Sequence, residues 1–203
     1  MARSEAATLD LRAGHPAVDL VNTVAWRGDP NRRNEYLSDY LDFVEWARHA
    51  EVLSRGEARV IAECAISQQD AAARLLRRTR QLREALHAIW TGRGSVGEAE
   101  TVAAAYRSAL RARCLDLDGD VGEWHDRALK AQTPLDRLAV ASVTLLTTVP
   151  FSRIKRCGDA ECGWLFLDTS HRQNRRWCST ADCGNRARVR SFYRRTRDGR
   201  ADG

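Results

Sequence analysis

The segment "CGDAECGWLFLDTSHRQNRRWCSTADCGNR" (residues 157–186) contains four cysteines in two short pairs. The pairs follow the spacing C-x4-C-x15-C-x4-C. Two such pairs, separated by a dozen or more residues, are typical of a structural zinc site in which four thiolates complete a tetrahedral shell. A closed shell leaves no position for a catalytic water. The spacing therefore predicts one structural Zn²⁺ ion bound by Cys157, Cys162, Cys178 and Cys183.

Glycine follows three of these cysteines, at Gly158, Gly163 and Gly184. Tight turns around a metal use left-handed backbone angles, which glycine adopts without a steric penalty. Such turns also direct backbone N–H groups at the thiolates. Disulfides or free thiols are the alternatives. A disulfide needs neither feature and is rare in the cytosol, so zinc is favoured.

The residues around the cysteines predict a small treble-clef or ribbon-like module over 151–203. Trp164–Leu167 is expected to form a strand paired with Arg175–Trp177, and a helix is expected from about Asn185. On a helical wheel Val189, Phe192 and Tyr193 share one side with Asn185 and Thr196, and we expect Val189 and Phe192 to pack on the zinc hairpin. Arg190, Arg194 and Arg195 fall on the other side, with Arg186 and Arg188 at its borders, and are expected to form an outward stripe. The seven arginines near and on this helix are then candidates for nucleic-acid contact: Arg175, Arg176, Arg186, Arg188, Arg190, Arg194 and Arg195.

Positive charge is concentrated in the same part of the chain. Residues 151–203 contain 13 Lys and Arg against 6 Asp and Glu, whereas the other 150 residues contain 20 against 21. A local basic excess is typical of a surface that meets an anionic partner, usually nucleic acid. A solvated basic helix without a partner is the alternative. The ordered metal module favours DNA binding, with RNA as a second possibility.

Residues 1–150 predict a mostly α-helical domain. Apolar residues recur at helical spacing over several segments, Ser54 and Glu57 have capping-box spacing, and "CLDLDGDVGEWH" (114–125) alternates around Asp118-Gly119 as a short β-hairpin does. We find no catalytic triad, nucleotide loop or paired-carboxylate motif, so we expect no enzyme. No apolar run is long enough to span a bilayer, and we expect a cytoplasmic protein without membrane contact.

Polar residues interrupt an otherwise buried segment, "GHPAVDLVNTVAW" (14–26). His15 is expected to cap a helix with Pro16 at its first position. Asp19 and Asn22 are i,i+3 neighbours and can line one pocket. A buried polar network that ties the segment to a neighbouring helix is the alternative. The candidate ligand-binding residues are His15, Asp19, Asn22, Thr23 and Trp26.

Two motifs resemble known families. "CGNR" (183–186), preceded by "RRWC" (175–178) and by C-x4-C-GW-x-F-x-D (157–168), resembles the CGNR zinc finger. "GHPAVDLVNT" (14–23) resembles the start of the ABATE domain, which commonly precedes that finger. The resemblance implies a bacterial, stress-induced transcription regulator whose finger binds DNA, with the same four cysteines as zinc ligands.

Three functions are compatible with parts of these sequence features. The first is a one-component regulator in which the finger binds DNA and the helical domain senses a small-molecule effector or forms a homodimer. The second is an RNA-binding or ribosome-associated zinc module. The third is an enzyme with an unrecognised site, which no motif supports. We favour the DNA-binding regulator.

Overall fold

The computed structural model describes residues 4–118 and 120–198, except for the side chains of Arg194 and residues 196–198. Within these residues the chain forms seven α-helices and three small antiparallel sheets. The helices are α1 (Pro16–Val21), α2 (Tyr40–His49), α3 (Arg55–Ser67), α4 (Gln69–Trp90), α5 (Val96–Arg111), α6 (Thr133–Thr148) and α7 (Asn185–Asp198). The strands are β1 (Val24–Ala25), β2 (Asn34–Glu35), β3 (Arg113–Asp116), β4 (Glu123–Asp126), β5 (Ile154–Arg156) and β6 (Leu165–Leu167). The predicted mostly α-helical class with a small cysteine-rich module is confirmed.

Local signals account for the helix starts. His15 Nδ1 accepts the backbone N–H of Ala17, and Pro16 occupies the first position of α1, as predicted. Ser54 and Glu57 form the predicted capping box of α3, and α2 and α5 begin with capping boxes of their own. These bonds satisfy backbone donors that a helix start leaves without an internal partner.

The three sheets are each two-stranded: β1 with β2, β3 with β4, and β5 with β6. Strands β3 and β4 form the predicted hairpin, whose register pairs Arg113 with Asp126 and Asp116 with Glu123. Gly119, part of the predicted turn, lies outside the described residues. None of the helices in the described part of the chain is long and apolar enough to cross a membrane.

One apolar core extends through both parts of the chain. Helices α1 to α6 contribute most of its buried side chains, with Phe43, Trp46 and Leu86 fully enclosed. Ile154 of β5 and Leu165 of β6 belong to the same core. The cysteine-rich module is therefore anchored on the helical part. A module this small contains too little apolar surface for a stable core of its own, so the shared core contributes to its stability.

Candidate zinc site and its seam with the helical domain

The four cysteines of the two pairs meet at one point. Their sulfur atoms all lie within 4.8 Å of one another, and all four residues are buried. Cys162 Sγ lies 3.7 Å from Cys178 Sγ, which lies 3.5 Å from Cys183 Sγ. A zinc–sulfur distance of about 2.3 Å places tetrahedral ligands about 3.8 Å apart, whereas a disulfide requires about 2.0 Å. The cluster fits one structural zinc ion.

Polar groups around the cluster stabilise negative charge on sulfur. The backbone N–H of Cys178 donates to Cys157 Sγ (3.5 Å), and Arg186 Nη2 donates to Cys183 Sγ (2.9 Å). Hydrogen bonds with the thiols of Cys162 and Cys178 lower the pKa of Cys157, the hydrogen bonds with Cys157 raise the pKa of Cys162 and Cys178, and burial raises the pKa of Cys183, so the first negative charge of the cluster resides on Cys157. Zinc binds thiolates rather than thiols, so these contacts prepare the cluster for a metal.

Two of the three glycines serve a purpose other than the predicted one. Only Gly163 has a left-handed backbone (φ 71°). At Gly158 and Gly184 a Cβ atom would lie 2.9 Å and 3.1 Å from the Trp177 ring. The indole therefore packs against both backbones, and the glycine of "CGNR" leaves room for Trp177.

The predicted strand pairing of the module is wrong. Strand β6 pairs with β5, not with residues 175–177, which form no strand. Arg175 holds that segment instead: its Nε donates to the carbonyl of Trp177 (3.0 Å) and its Nη2 to the carbonyls of Cys178 (2.6 Å) and Arg12 (3.1 Å). Strand β5, which lies before the first cysteine, is the partner that the sequence analysis did not identify.

Helix α7 does not attach to the module through the predicted apolar side chains. Val189, Phe192 and Tyr193 are exposed to 46%, 59% and 68%. The inward contacts come from Arg186 Nε and Arg190 Nη2, which lie 3.1 Å and 2.7 Å from the buried carboxylate of Asp159. Burial acts to raise the pKa of Asp159, but hydrogen bonds from Arg190 and Arg186 lower it overall. This ion cluster attaches the helix to the finger.

The module and the helical part meet at a close interface, which we call the seam and which includes Arg12, Asn22 and Gly28 on the helical side. Asn22 donates to the carbonyl of Leu165 and accepts its N–H, both at 2.9 Å. Gly28 N–H donates to the carbonyl of Glu161, and a Cβ at Gly28 would lie 2.0 Å from the Ala160 oxygen. Only glycine permits this approach of two backbones. The guanidinium of Arg12 pairs with Asp182 across the same boundary.

Residues 14–149 match the family described as "Putative stress-induced transcription regulator", ABATE. The chain belongs to the ABATE family. Residues 153–196 match the family described as CGNR zinc finger, so the resemblance seen in the motifs is confirmed in both parts and in the same order. The search of curated proteins found none that matches the chain.

Four of the five candidate ligand-binding residues of the ABATE domain have structural partners. His15 caps α1, Asn22 bonds Leu165, and Thr23 Oγ1 donates to the Leu20 carbonyl while accepting Arg83 Nη1. Asp19 accepts the N–H of Ala13 at 3.0 Å, and burial raises its pKa to about 6. These contacts favour the polar-network alternative stated above.

Trp26, the fifth candidate, differs from the others. Its backbone is left-handed (φ 54°), and the guanidinium groups of Arg32 and Arg186 lie 3.4 Å and 4.9 Å from its ring centroid. Arg186, the arginine of "CGNR", thus touches the ABATE domain, Asp159 and a zinc-site sulfur together. The motif joins the two domains as well as shaping the metal site.

The seven candidate arginines fall into three groups. Arg175, Arg186 and Arg190 bond within the protein, as described above. Arg176, Arg188 and Arg195 are exposed, and the side chain of Arg194 lies outside the described residues. The role in nucleic-acid contact stays a prediction for the set, but Arg190, which was expected on the outward stripe of α7, pairs with the buried carboxylate of Asp159.

Two buried carboxylates of the CGNR finger were not predicted as site residues. Asp159 holds α7, and Asp168 accepts Lys155 Nζ (2.7 Å), Ser170 Oγ (2.5 Å) and the N–H of Arg175 (3.1 Å). Hydrogen bonds from Lys155 and Ser170 lower the pKa of Asp168. In the sequence each is an aspartate within a strongly basic segment. Asp159 lies between the first two cysteines, and Asp168 directly follows the predicted strand Trp164–Leu167.

Proposed function

We propose that this protein is a zinc-containing, DNA-binding transcription regulator of the bacterial cytoplasm. Residues 151–203 form the DNA-binding finger, and residues 1–150 form a regulatory domain. Cys157, Cys162, Cys178 and Cys183 hold the zinc ion. The metal supplies folding free energy, on the order of 10 kcal/mol in small zinc modules, and no catalytic step. Neither family description names an enzyme, and we propose no catalysis.

The observation that carries the proposal is a set of exposed arginines on the metal-ordered finger. Arg188 and Arg195 are exposed on α7, and Arg176 is exposed beside Trp177. In the described part of the chain none of the three forms an ion pair. Arginine on an ordered helix reaches phosphate oxygens in bidentate geometry and loses less conformational freedom than it would on a disordered tail.

Charge distribution supports the same partner. The 13 basic and 6 acidic side chains of residues 151–203 amount to +7. Four thiolates and one Zn²⁺ contribute −2, which leaves the finger near +5. The rest of the chain is near −1, so attraction to a polyanion is confined to one end of the molecule.

The exposed side of α7 also includes aromatic surface. Tyr193 lies next to Phe192 in an edge-to-face pair with ring centroids 5.9 Å apart. Aromatic rings between arginines are common where proteins contact nucleic acid, because they pack on sugars and bases. The rings of Phe192 and Tyr193 are exposed, to 59% and 68%.

The proposal is tested with duplex DNA selected from a random pool by the zinc-loaded protein. Binding is then followed by fluorescence anisotropy at several stated salt concentrations. We expect Arg188→Ala/Arg195→Ala to weaken binding at least tenfold and to reduce the slope of log K against log salt by about 2, since each phosphate contact contributes about 1.

Arg74→Ala/Arg77→Ala is the matched control, because both arginines are exposed on α4 of the ABATE domain. Equal losses in the two double variants would contradict the assignment to α7. Absence of any bound DNA after selection would refute the proposed function. Structured RNA that displaces the selected duplex at the same salt would identify an RNA-binding module instead.

For the ABATE domain we propose a regulatory role, through an effector or through a second copy of the chain. Its contact with the finger supports this role. Arg12, Asn22 and Trp26 all bond or pack across the seam. A change on the ABATE side can therefore reach the segment that carries α7 through direct contacts.

A further inference from the structure

The β3–β4 hairpin of the ABATE domain exposes apolar side chains on one face. Leu115 lies directly opposite Trp124, so the two side chains share that face. A Cβ at Gly122 would lie 2.9 Å from Leu117 Cδ2 and 3.3 Å from Leu115 Cδ1, so both leucines pack over the same backbone. Leu115, Leu117 and Trp124 are exposed to 49%, 70% and 52%, and we call them the hairpin face. Adjoining exposed apolar side chains of this size mark an interaction surface.

The same hairpin is strongly acidic. Residues 113–126 contain five Asp and Glu and one Arg, a net charge of −4. Arg113 lies at the base of the hairpin, 3.9 Å from Asp126. The excess negative charge is therefore carried by four exposed carboxylates nearer the tip, which form no ion pair with Lys or Arg among the described residues: Asp116, Asp118, Asp120 and Glu123. A partner of the hairpin face must combine apolar surface with positive charge.

Helix α7 of the finger presents that combination. Arg188, Phe192 and Arg195 have i, i+4, i+7 spacing, so they lie along one stripe of the helix. All three are exposed, and so is Val189 beside them. We call Arg188, Phe192 and Arg195 the α7 stripe. Its aromatic ring lies between two cations, whereas the hairpin has apolar side chains beside carboxylates.

Charge selects which two surfaces of this protein can meet. Two hairpins would bring −4 against −4, and two α7 helices would bring arginines against arginines, whereas a hairpin and an α7 attract each other. Within one chain both surfaces are exposed at once, so they do not cover each other. The contact therefore requires two copies, and a two-fold arrangement makes it twice.

We propose that the hairpin face of one copy docks on the α7 stripe of a second copy. The hairpin carboxylates then lie near Arg188 and Arg195, and the apolar side chains of both surfaces are removed from water. The regulatory consequence rests on the proposed function. Arg188 and Arg195 are the proposed phosphate contacts, so DNA and the second copy compete for the same helix.

Sedimentation velocity of the zinc-loaded full chain, without DNA, measures this association directly. We expect a reversible dimer with a Kd on the order of 10 μM, as for a small transient interface. The Kd should rise about tenfold between about 50 mM and about 300 mM salt, because salt screens exposed charges.

Charge reversal tests both surfaces. Asp118→Arg/Asp120→Arg should weaken self-association about tenfold or more, and so should Arg188→Glu/Arg195→Glu. An equal mixture of these two variants should dimerise again, because the reversed hairpin meets the reversed helix and the two unaltered surfaces meet each other.

Glu63→Arg/Glu100→Arg is the matched control. Both glutamates are exposed, on α3 and α5, and the change of charge equals that of the hairpin variant. This control should associate as the wild type does. Zinc content and the thermal midpoint verify that each variant is folded. Should a charge variant fail to fold, Trp124→Ala replaces it and should weaken association about tenfold, since interface aromatics contribute strongly.

A protein that stays monomeric at about ten times the expected Kd overturns the proposal. Folded variants that associate as the wild type does, loss of association in only one of the two charge variants, or a mixture that stays monomeric overturn it as well. These readouts need no DNA. A dimer that selects no DNA would refute the proposed function and retain the contact, and a DNA-binding protein that never self-associates would do the opposite. Selected duplex should separate the dimer, and duplex bound to an intact dimer overturns the competition.

Discussion

Replacing Asp159 with asparagine tests how α7 is attached to the finger. The carboxylate is buried and accepts Arg186 Nε at 3.1 Å and Arg190 Nη2 at 2.7 Å. A hydrogen bond to a charged group contributes about 1.5–3 kcal/mol. The two arginines are 39% and 42% exposed, so they regain water when the carboxylate is lost, and an asparagine oxygen still accepts one bond. We therefore expect a cost of about 2 kcal/mol, below the about 3–5 kcal/mol for breaking a fully buried pair.

Hydrogen exchange, measured by mass spectrometry on the zinc-loaded protein, reports the free energy of local opening of α7 and therefore this loss of stability. A loss of about 2 kcal/mol raises the opening constant of α7 about 30-fold, since about 1.4 kcal/mol corresponds to a factor of ten. Peptides covering 185–198 should exchange faster by that factor, while peptides of α4 to α6 should not change.

Two matched variants separate this explanation from the apolar attachment that the sequence predicts. Val189→Ala should alter exchange in α7 little, because Val189 is 46% exposed and such surface changes are usually within about 0.5 kcal/mol. Asp70→Asn, an exposed carboxylate at the start of α4, controls for the change of charge. Faster exchange in Val189→Ala than in Asp159→Asn would refute the ionic attachment.

Three further outcomes are expected. Cys178→Ser, or removal of zinc by a chelator, should abolish the ordered finger, and elemental analysis of the wild type should give one zinc per chain. Asn22→Ala should lower the free energy of unfolding by about 2–4 kcal/mol in denaturant titrations, because it leaves the N–H and C=O of Leu165 without partners. Burial raises the pKa of Asp19 from 3.8 to about 6, so the folded state binds the proton more tightly than the unfolded state does. The resulting contribution to the free energy of unfolding is fully present below pH 3.8 and is lost as pH rises through about 6. Asp19→Asn should therefore gain stability relative to wild type between pH 4 and 6, by up to about 3 kcal/mol, and a pH-independent difference would contradict the assignment.

The helices and the metal site were predictable because their causes are local. Cap residues such as Ser54 and His15 act within a few positions of the helix they start. The cysteine spacing reflects the chemistry of zinc, which requires four thiolates at one point. These signals need no knowledge of how distant segments meet.

The seam was not predictable on the same basis. Asn22 and Leu165 are 143 positions apart, and nothing near either residue indicates that the other is its partner. The pocket assigned to the start of the ABATE domain was inferred from polar residues in a buried segment. Most of those residues bond neighbouring backbone, which produces the same sequence pattern as a binding site.

The sequence by itself determined that four cysteines form a zinc site, that a helix follows it and that this helix has an apolar side and a basic side, because spacing and periodicity encode local geometry. Only the tertiary structure decided which side faces inward. A buried carboxylate at Asp159 draws Arg186 and Arg190 toward the finger, and the apolar side chains of Val189, Phe192 and Tyr193 stay exposed. At α7, ion pairs with a residue distant in sequence determine the orientation of the helix, and the amphipathic pattern does not. Such pairs depend on which segments the fold brings together.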